Sequence, residues 1–182
     1  MECTYLNYYS YGRNHYSYNK FSLALKILER YNNGEKYLGA NWEKTYNRLY
    51  LANVCLRDAD FNRTDFRNSV FNNADLRNVN FRRCDLRNCS FVNADLRGAI
   101  LDKADMRGAN FTGADMREIR DPINMTVGNK EVAVCCVEGA NFTNVVVKWD
   151  KGFAMRLKQH LRTIATKESD DQINQKLPRL RS

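Results

Sequence analysis

The 182-residue sequence predicts an all-β fold, a four-sided β-helix with short α-helical N- and C-terminal caps. The first observation behind this prediction is a period of five. Every fifth residue from Leu51 to Met116 is large and apolar: Leu51, Leu56, Phe61, Phe66, Phe71, Leu76, Phe81, Leu86, Phe91, Leu96, Leu101, Met106, Phe111 and Met116. The second observation is that Arg follows the large residue at every tenth position from Arg57 to Arg117. A strict short period is typical of repeat architectures.

Each five-residue unit consists of one inward-facing pair and one corner. A smaller residue stands two positions before the large one, as Ala74 does before Leu76, and only Leu49 and Val54 at these positions are bulkier. Side chains two apart in an extended segment point to the same side, so both face inward. The two residues after the large one are polar or Gly, as in Arg97-Gly98, which is typical of turns. Repeated corners coil the chain, and successive levels stack at about 4.8 Å.

The Arg spacing determines how many sides one level has. In a three-sided coil Arg57 would stack on Asn72, which gives no regular ladder. A coil with four sides instead stacks the Arg residues in two sets, on opposite sides. One set is Arg57, Arg77, Arg97 and Arg117, and the other is Arg67, Arg87 and Arg107. Regular stacking favours four sides.

These units also resemble a known family. Segments such as Ala74-Asp75-Leu76-Arg77-Asn78 and Ala94-Asp95-Leu96-Arg97-Gly98 are similar to the A(D/N)LXX consensus of pentapeptide-repeat proteins. The resemblance implies a right-handed quadrilateral β-helix that serves as a binding module or scaffold and not as an enzyme. It also implies a link to topoisomerases, because some members protect DNA gyrase from inhibitors by mimicking DNA. The family motif holds no catalytic residue that could be transferred to this chain.

Residues 1–48 are predicted to form a Tyr-rich arm and a helical N-terminal cap. Two interpretations of the arm stay open: its Tyr rings stack on nucleic-acid bases, or it packs on the coil or a partner. A helix is predicted from Lys20 to Tyr31, capped by Asn19, with Phe21, Leu25 and Leu28 as its apolar stripe. A second short helix is predicted from Trp42 to Leu49, with Trp42, Tyr46 and Leu49 as its apolar face.

The coil is predicted over residues 49–118, and its rhythm breaks after Met116. Asp121-Pro122 and Gly128-Asn129 indicate a loop that protrudes from the coil over residues 119–131. The period returns at residues 132–149, which predicts a final coil level built on Val132, Val137, Phe142 and Val147. The protruding loop is either a binding element or a tolerated insertion.

The chain is predicted to end in a helix over residues 150–167 and a polar tail over 168–182. Phe153, Leu157, Leu161 and Ile164 form the apolar stripe of this helix. Such a helix either covers the end of the coil or pairs with a second copy to make a homodimer.

Sorting the outward residues by their spacing of twenty separates four walls. The two walls that carry the Arg ladders also carry Asp, as in Asp85/Arg87 and Asp95/Arg97, and are predicted to neutralise themselves; we call them the Asp–Arg walls. The basic wall surrounds Phe61, Phe81 and Leu101. Its candidate binding residues are Arg63, Arg82, Arg83 and Lys103. Asp60 and Asp102 are its only acidic residues.

The uncharged wall lies opposite the basic wall, around Leu51, Phe71, Phe91 and Phe111. Its outward residues are Tyr50, Ala52, Asn53, Val70, Asn72, Asn73, Ser90, Val92, Asn93, Asn110, Thr112 and Gly113. Depletion of charge marks interface cores, so Val70, Asn72, Val92, Asn93 and Thr112 are candidate contact residues. The alternative is that these Asn and Thr ladders only bond one level to the next.

Composition restricts the function classes. The longest apolar run, from Val132 to Val137, is too short to span a bilayer, and no segment resembles a signal peptide, so a soluble cytoplasmic protein is expected. Cys84 and Cys89 occupy inward positions and are predicted to fill the core. No cluster with metal-ligand spacing and no phosphate loop is found, so neither a metal nor another cofactor nor catalysis is expected.

Three functions follow from these observations. The first is a non-catalytic scaffold that binds a protein partner through the uncharged wall, the protruding loop or an end piece. The second is regulation of DNA gyrase by DNA mimicry, which the net charge of +8 disfavours. The third is nucleic-acid binding through the basic wall, with help from the Tyr-rich arm.

Overall fold

The computed structural model describes residues 15–39, 46–119, 124–127, 130–133 and 140–143. The secondary-structure elements are helix α1 (His15–Asn32) and the strands β1 (Asn124–Val127) and β2 (Lys130–Ala133). Between and beyond them lies the coil. The predictions for the arm at residues 1–14, for Trp42, Val137 and Val147, and for the C-terminal helix and tail fall outside the described residues.

The coil has four sides, as predicted from the Arg spacing. Ten parallel bridges join residues that are twenty apart, for example Asp65 to Asp85 and Asp85 to Asp105. Backbone N–H groups donate to carbonyls on the neighbouring level, as Phe71 N does to Ser90 O at 2.7 Å. Every fifth residue then turns a corner with a left-handed backbone, such as Asn73 at a φ of 57° and Gly98 at 70°. The prediction of a four-sided β-helix is confirmed.

Apolar side chains stack through the centre of the coil in register with its levels. The rings of Phe71, Phe91, Phe111 and Phe142 form one column, with centroids 5.0, 4.9 and 5.2 Å apart and nearly parallel planes. Rings on neighbouring sides meet edge to face, as Phe66 meets Phe71 at 5.2 Å. Such aromatic pairs add about 0.5–1.5 kcal/mol each beyond their burial.

The coil extends further towards the N-terminus than predicted. Tyr46 is buried, its N–H donates to Asp65 O at 2.8 Å, and Arg48 N donates to Arg67 O at 2.8 Å. Residues 46–49 therefore belong to the coil, and the predicted helix from Trp42 to Leu49 is wrong over this part. Even earlier, Tyr37 bridges to Asp60, a spacing of twenty-three, so three extra residues are inserted in the first level.

Helix α1 starts earlier than predicted and presents a different stripe. It begins at His15, so Asn19 lies inside it, because a capping preference of about 1 kcal/mol does not stop a helix that the preceding residues can continue. Ala24 and Ile27 are buried in the same cluster as the coil core, whereas Leu25 is 43% exposed. The predicted stripe of Phe21, Leu25 and Leu28 is thus wrong at Leu25.

The predicted end of the helix is confirmed. Gly34 adopts a φ of 85°, and Gly34 N and Glu35 N donate to the carbonyls of Tyr31 and Arg30 at 2.9 and 3.0 Å. These bonds satisfy the last carbonyls of the helix.

A β-hairpin interrupts the coil where a loop was predicted. Strands β1 and β2 pair antiparallel from Asn124↔Ala133 to Val127↔Lys130, which leaves two residues, Gly128 and Asn129, between them. Gly-Asn between two short strands is a hairpin signal. The hairpin runs past residue 131, so Val132 belongs to strand β2 and the predicted start of the final coil level at residue 132 is wrong. Phe142 is in the coil as predicted, because Asn141 bridges to Asn110.

Polar side chains in the inward small positions bond to the backbone of the level below. Ser69 Oγ accepts from Leu49 N at 3.0 Å and donates to Tyr46 O at 3.1 Å. Cys84 and Cys89 donate their Sγ–H groups to Phe61 O and Phe66 O, both at 3.0 Å. Thr64 differs, since its buried hydroxyl has no hydrogen-bond partner among the described residues.

Replacing Thr64 by Val should stabilise the protein. The change removes a buried hydroxyl without a partner and keeps the shape, so we expect the free energy of unfolding to rise by about 1 kcal/mol. Ser69→Ala is the matched control, and there the loss of two hydrogen bonds should lower it by about 1–3 kcal/mol. Urea unfolding followed by circular dichroism measures both. A Thr64→Val protein no more stable than the parent would show that this hydroxyl is satisfied.

Candidate functional site

The outer walls of the coil are the candidate sites, because the interior is filled by apolar side chains. In each unit the residue before the large one forms the inter-level bridge and projects outward. The two residues after the large one project from the corner. Since identical positions recur every twenty residues, outward side chains form columns along the coil.

The two Asp–Arg walls are continuous ladders of ion pairs. Arg87 donates from Nε and Nη2 to the two carboxylate oxygens of Asp85 at 2.9 and 2.6 Å, and its Nε lies 3.7 Å from Asp105 of the next level. On the opposite wall Arg97 makes the same fork with Asp95, and its Nε lies 3.6 Å from Asp115. The prediction that these walls neutralise themselves is confirmed.

The ladders lower the pKa values of the carboxyl groups in them. Partial burial of Asp95 raises its pKa, but hydrogen bonds from the Arg97 side chain and backbone, with the charges of Arg97 and Arg117, outweigh this and leave the pKa below its ordinary value. The same balance lowers the pKa of Asp65 and of Asp105. In the core, burial raises the pKa of the Cys89 thiol to about 12, so it is an inert core filler.

The basic wall separates into paired and unpaired cations. Arg82 donates from Nε to Asp102 Oδ2 at 2.7 Å, so it is neutralised by the level above. Asp60 accepts from Asn80 Nδ2 at 3.1 Å. The other predicted binding residues, Arg63, Arg83 and Lys103, are exposed, stack at one corner, and make no ion pair with any residue the structure describes. The structure thus brings three of the four predicted cations into one unpaired column.

The uncharged wall bonds to itself through the oxygens of its amide side chains. Asn72 Oδ1 accepts from Ser90 Oγ at 2.6 Å and from Val92 N at 3.1 Å, which joins two levels. Asn110 Oδ1 accepts from Thr112 N and Thr112 Oγ1 at 3.0 and 2.6 Å. The ladder interpretation is therefore correct for these oxygens. No described residue accepts a hydrogen bond from the amide NH₂ groups of Asn72 and Asn110, which leaves those donors available.

The wall is also larger than its sequence indicated. Asn141 and Thr143 add a fifth level, in which Asn141 Oδ1 accepts from Thr143 Oγ1 at 2.7 Å. One flanking corner, with Asn53, Asn73, Asn93 and Gly113, is uncharged as the sequence predicted, whereas the other alternates Asn68, Asn88 and Gly108 with ion-paired Arg67, Arg87 and Arg107. Asn73 Nδ2 donates to Asn53 Oδ1 at 3.2 Å along the first corner. The unit Ala140-Asn141-Phe142, which repeats the coil pattern after the interruption, is the sequence signal for this fifth level.

Neither a metal site nor a membrane span is found among the described residues. The described part of the chain holds no group of three or more His, Cys, Asp or Glu side chains that could bind a metal ion. Among those residues, no helix combines the length and the apolar character needed to cross a membrane.

Comparisons with known proteins agree with the coil. A family model described as pentapeptide repeats, found in eight copies, matches residues 48–83 and 80–118. No curated protein matches the sequence.

Among solved structures, a pentapeptide repeat protein from the Arabidopsis thaliana thylakoid lumen is 24% identical with a TM-score of 0.41. That match covers 63% of this chain and 74% of the other. Rfr23 from the cyanobacterium Cyanothece 51142 is 23% identical with a TM-score of 0.28, and the match covers 56% of this chain and 63% of Rfr23. QnrB1, a plasmid-mediated fluoroquinolone resistance protein, is 21% identical with a TM-score of 0.28, and the match covers 58% of this chain and 55% of QnrB1.

The Asp–Arg walls predict loss of stability in acid. A carboxyl group whose pKa is lower in the folded than in the unfolded state stabilises the fold. This contribution is complete above the unfolded-state pKa of about 3.9, and it is lost as the pH falls through the folded-state pKa. Arg97→Gln should flatten this acid dependence, because Asp95 loses its main partner. Arg63→Gln removes the same charge from a residue with no ion pair and should leave the dependence unchanged. Urea unfolding at a series of acidic pH values measures it, and identical curves for Arg97→Gln and the parent would contradict the assignment.

Proposed function

Since residues 48–118 belong to the pentapeptide-repeat family, we propose that this chain is a non-catalytic scaffold that binds a protein partner through its uncharged wall. The observation that carries the proposal is five stacked levels without an ionisable side chain, apart from the Tyr50 phenol, in a chain with 27% charged residues. We place the contact at Val70, Asn72, Val92, Asn93 and Thr112, with Asn141 and Thr143 continuing it.

The low cost of removing water from this wall supports the proposal. A buried polar group without a partner costs about 1–3 kcal/mol at an interface, and an unpaired charge costs more. Here the oxygens of Asn72 and Asn110 are already bonded within the wall, and no charge has to be desolvated. Val70 and Val92 supply apolar surface between them, and the free amide donors can recognise carbonyls of a partner.

The size of the wall favours a transient complex. Five levels of about 4.8 Å and a width of about five residues give roughly 400 Å². Stable interfaces bury about 800 Å² per partner, whereas weak signalling contacts are smaller. The partner therefore either binds transiently or reaches around a corner onto the neighbouring wall, where each Arg is paired with Asp.

Regulation of DNA gyrase by DNA mimicry is a weaker candidate. A duplex mimic has to present unneutralised negative charge, but Asp65, Asp85, Asp95 and Asp105 are each paired with Arg. We expect no change in gyrase supercoiling when the protein is added in excess. The homodimer through Phe153, Leu157, Leu161 and Ile164 and the cytoplasmic location stay predictions from the sequence.

The uncharged wall can be tested with an isosteric charge. In Asn72→Asp the new carboxylate can still accept from Ser90 Oγ and Val92 N, so folding should be preserved, but a charge now lies in the centre of the wall. Burying it without a partner costs about 2–5 kcal/mol, so capture of bound protein from the source cell should fall more than tenfold. Quantitative affinity capture on the full chain measures this.

Asn62→Asp is the matched control. It makes the same chemical change at the same position of the repeat, but on the opposite wall at an exposed residue, and it should leave capture unchanged. Equal capture by the parent and Asn72→Asp would remove the uncharged wall as the contact. Absence of any captured protein with the parent would contradict the scaffold function itself.

A further inference from the structure

One corner of the coil carries a column of three cations that nothing in the described structure neutralises. Arg63, Arg83 and Lys103 lie one level apart at the corner between the basic wall and the neighbouring Asp–Arg wall. All three are exposed, and none forms an ion pair within the described residues. By contrast, Arg82 pairs with Asp102 at 2.7 Å, and the Arg residues of the adjacent wall are each forked to Asp. We call these three residues the cation ladder.

The residue types of the cation ladder contradict the local backbone preference. Every coil corner has a left-handed backbone, and the three ladder residues have φ values of 61°, 57° and 58°. At the other three corners such residues are Asn, Asp or Gly from 53 to 113, the types that tolerate this conformation best, and only Arg48 and Glu118, before and after that range, differ. A long cationic side chain appears at this corner on all three levels and is not explained by folding. Residues whose conformational preference opposes the local backbone structure are expected at functional sites.

The flanks of the ladder restrict what can bind it. Asp65, Asp85 and Asp105 follow the ladder residues by two positions on the next wall, and Asp60 and Asp102 lie on the basic wall. Because Asp65, Asp85 and Asp105 are paired with Arg and Asp102 is paired with Arg82, the unpaired positive charge is a strip one residue wide. A nucleic-acid duplex presents phosphates across a broad front and could place only one row of them on this strip, whereas a single peptide segment with one acidic stripe matches its width.

An exposed aromatic residue at the foot of the same wall also favours a protein. Tyr37, 79% exposed, bridges to Asp60 and so lies directly below the outward column of Asp60 and Asn80. Tyr and Arg are the side chains enriched at energetically important positions of protein interfaces. Among the side chains that the structure describes, Tyr37 is the one exposed aromatic ring, too few for the successive base stacking that single-stranded nucleic acid requires.

The spacing of the ladder matches a helix better than a strand. Three levels place the outer cations about 9.6 Å apart, with steps of about 4.8 Å. Carboxylates at positions i, i+3 or i+4, and i+7 of a helix are about 4.5–6 Å and 10.5 Å apart along its axis. Same-face residues of a strand are about 6.7 Å apart, so the third would be displaced by almost 4 Å.

From these observations we propose that the cation ladder is a docking site for an acidic helical segment of a partner protein, lying parallel to the coil axis with one stripe of carboxylates on Arg63, Arg83 and Lys103. The site is on a different wall from the contact proposed above and does not rest on it. A partner could therefore be held at both walls or at either one.

The test uses the full chain and a synthetic peptide of about 20 residues, long enough to be helical. The peptide carries three Glu in one stripe, and an isomer of equal composition distributes them around the helix. The binding variant is the triple substitution Arg63→Asn, Arg83→Asn and Lys103→Asn, which installs the residue type that the other corners use. Its thermal stability should equal or slightly exceed that of the parent. Its affinity for the striped peptide should fall about tenfold, and the parent's affinity should weaken with salt.

The matched control is the triple substitution Arg77→Gln, Arg97→Gln and Arg117→Gln. It removes the same charge over three levels, but from ion-paired residues on another wall. Its affinity for the striped peptide should equal that of the parent. The proposal is overturned if the triple Asn variant binds the striped peptide as tightly as the parent does. It is also overturned if the isomer binds equally well, or if a DNA duplex or single strand binds the ladder more tightly than the striped peptide. Each of these outcomes can be read whether or not the uncharged wall binds a partner.

Discussion

The register of twenty residues between levels is the constraint on which the rest of this molecule depends. Each level offers its N–H and C=O groups to the next, so a level can be added only if its corners fall directly above those below. The same register stacks the rings of Phe71, Phe91 and Phe111 at about the level spacing. Backbone bonding and core packing thus demand the same period, and neither could shift by one residue without breaking the other. The interior is fixed, and variation is left to the outside.

Outside, the register turns single residues into columns, and the columns give each wall a different character. An Asp next to an Arg becomes a ladder in which Arg87 lies between Asp85 of its own level and Asp105 of the next. Each exposed pair contributes little, about 0–1 kcal/mol, but together they leave two walls without net charge. The remaining two walls then differ sharply: one carries no charged side chain, and the other ends in a corner of cations that have no ion pair among the described residues. A repeat that is uniform in its core is therefore directional on its surface.

The sequence predicted the parts of the fold that are governed by the register and failed where two periods coincide. The four sides, the Asp–Arg ladders and the return of Phe142 follow from spacing alone. Tyr46 and Leu49 fit both a helical face with Trp42 and the coil, and only the hydrogen bonds to Asp65 and Arg67 decide between them. In α1, Leu25 and Ala24 lie on overlapping stripes of equal helical period, and packing against the coil selects Ala24. Arg82 was grouped with the unpaired cations, although Asp102 lies one level above it and stacking by twenty could have paired them.

The two interruptions of the register show how such a coil can acquire functions without losing its fold. The bridge from Tyr37 to Asp60 exceeds the normal spacing of twenty by three residues, and the bridge from Asn110 to Asn141 exceeds it by eleven. In both cases the chain still forms a parallel bridge with the neighbouring level. Closing a longer loop costs only about 0.6 kcal/mol for each doubling of its length, whereas returning out of phase would put apolar residues outside. Insertions are therefore cheap provided that the chain re-enters on the correct side. The second insertion contains the β1–β2 hairpin, and after it the chain returns to the coil at Asn141 on the uncharged wall. The chain that follows the hairpin therefore adds a further level to the uncharged wall.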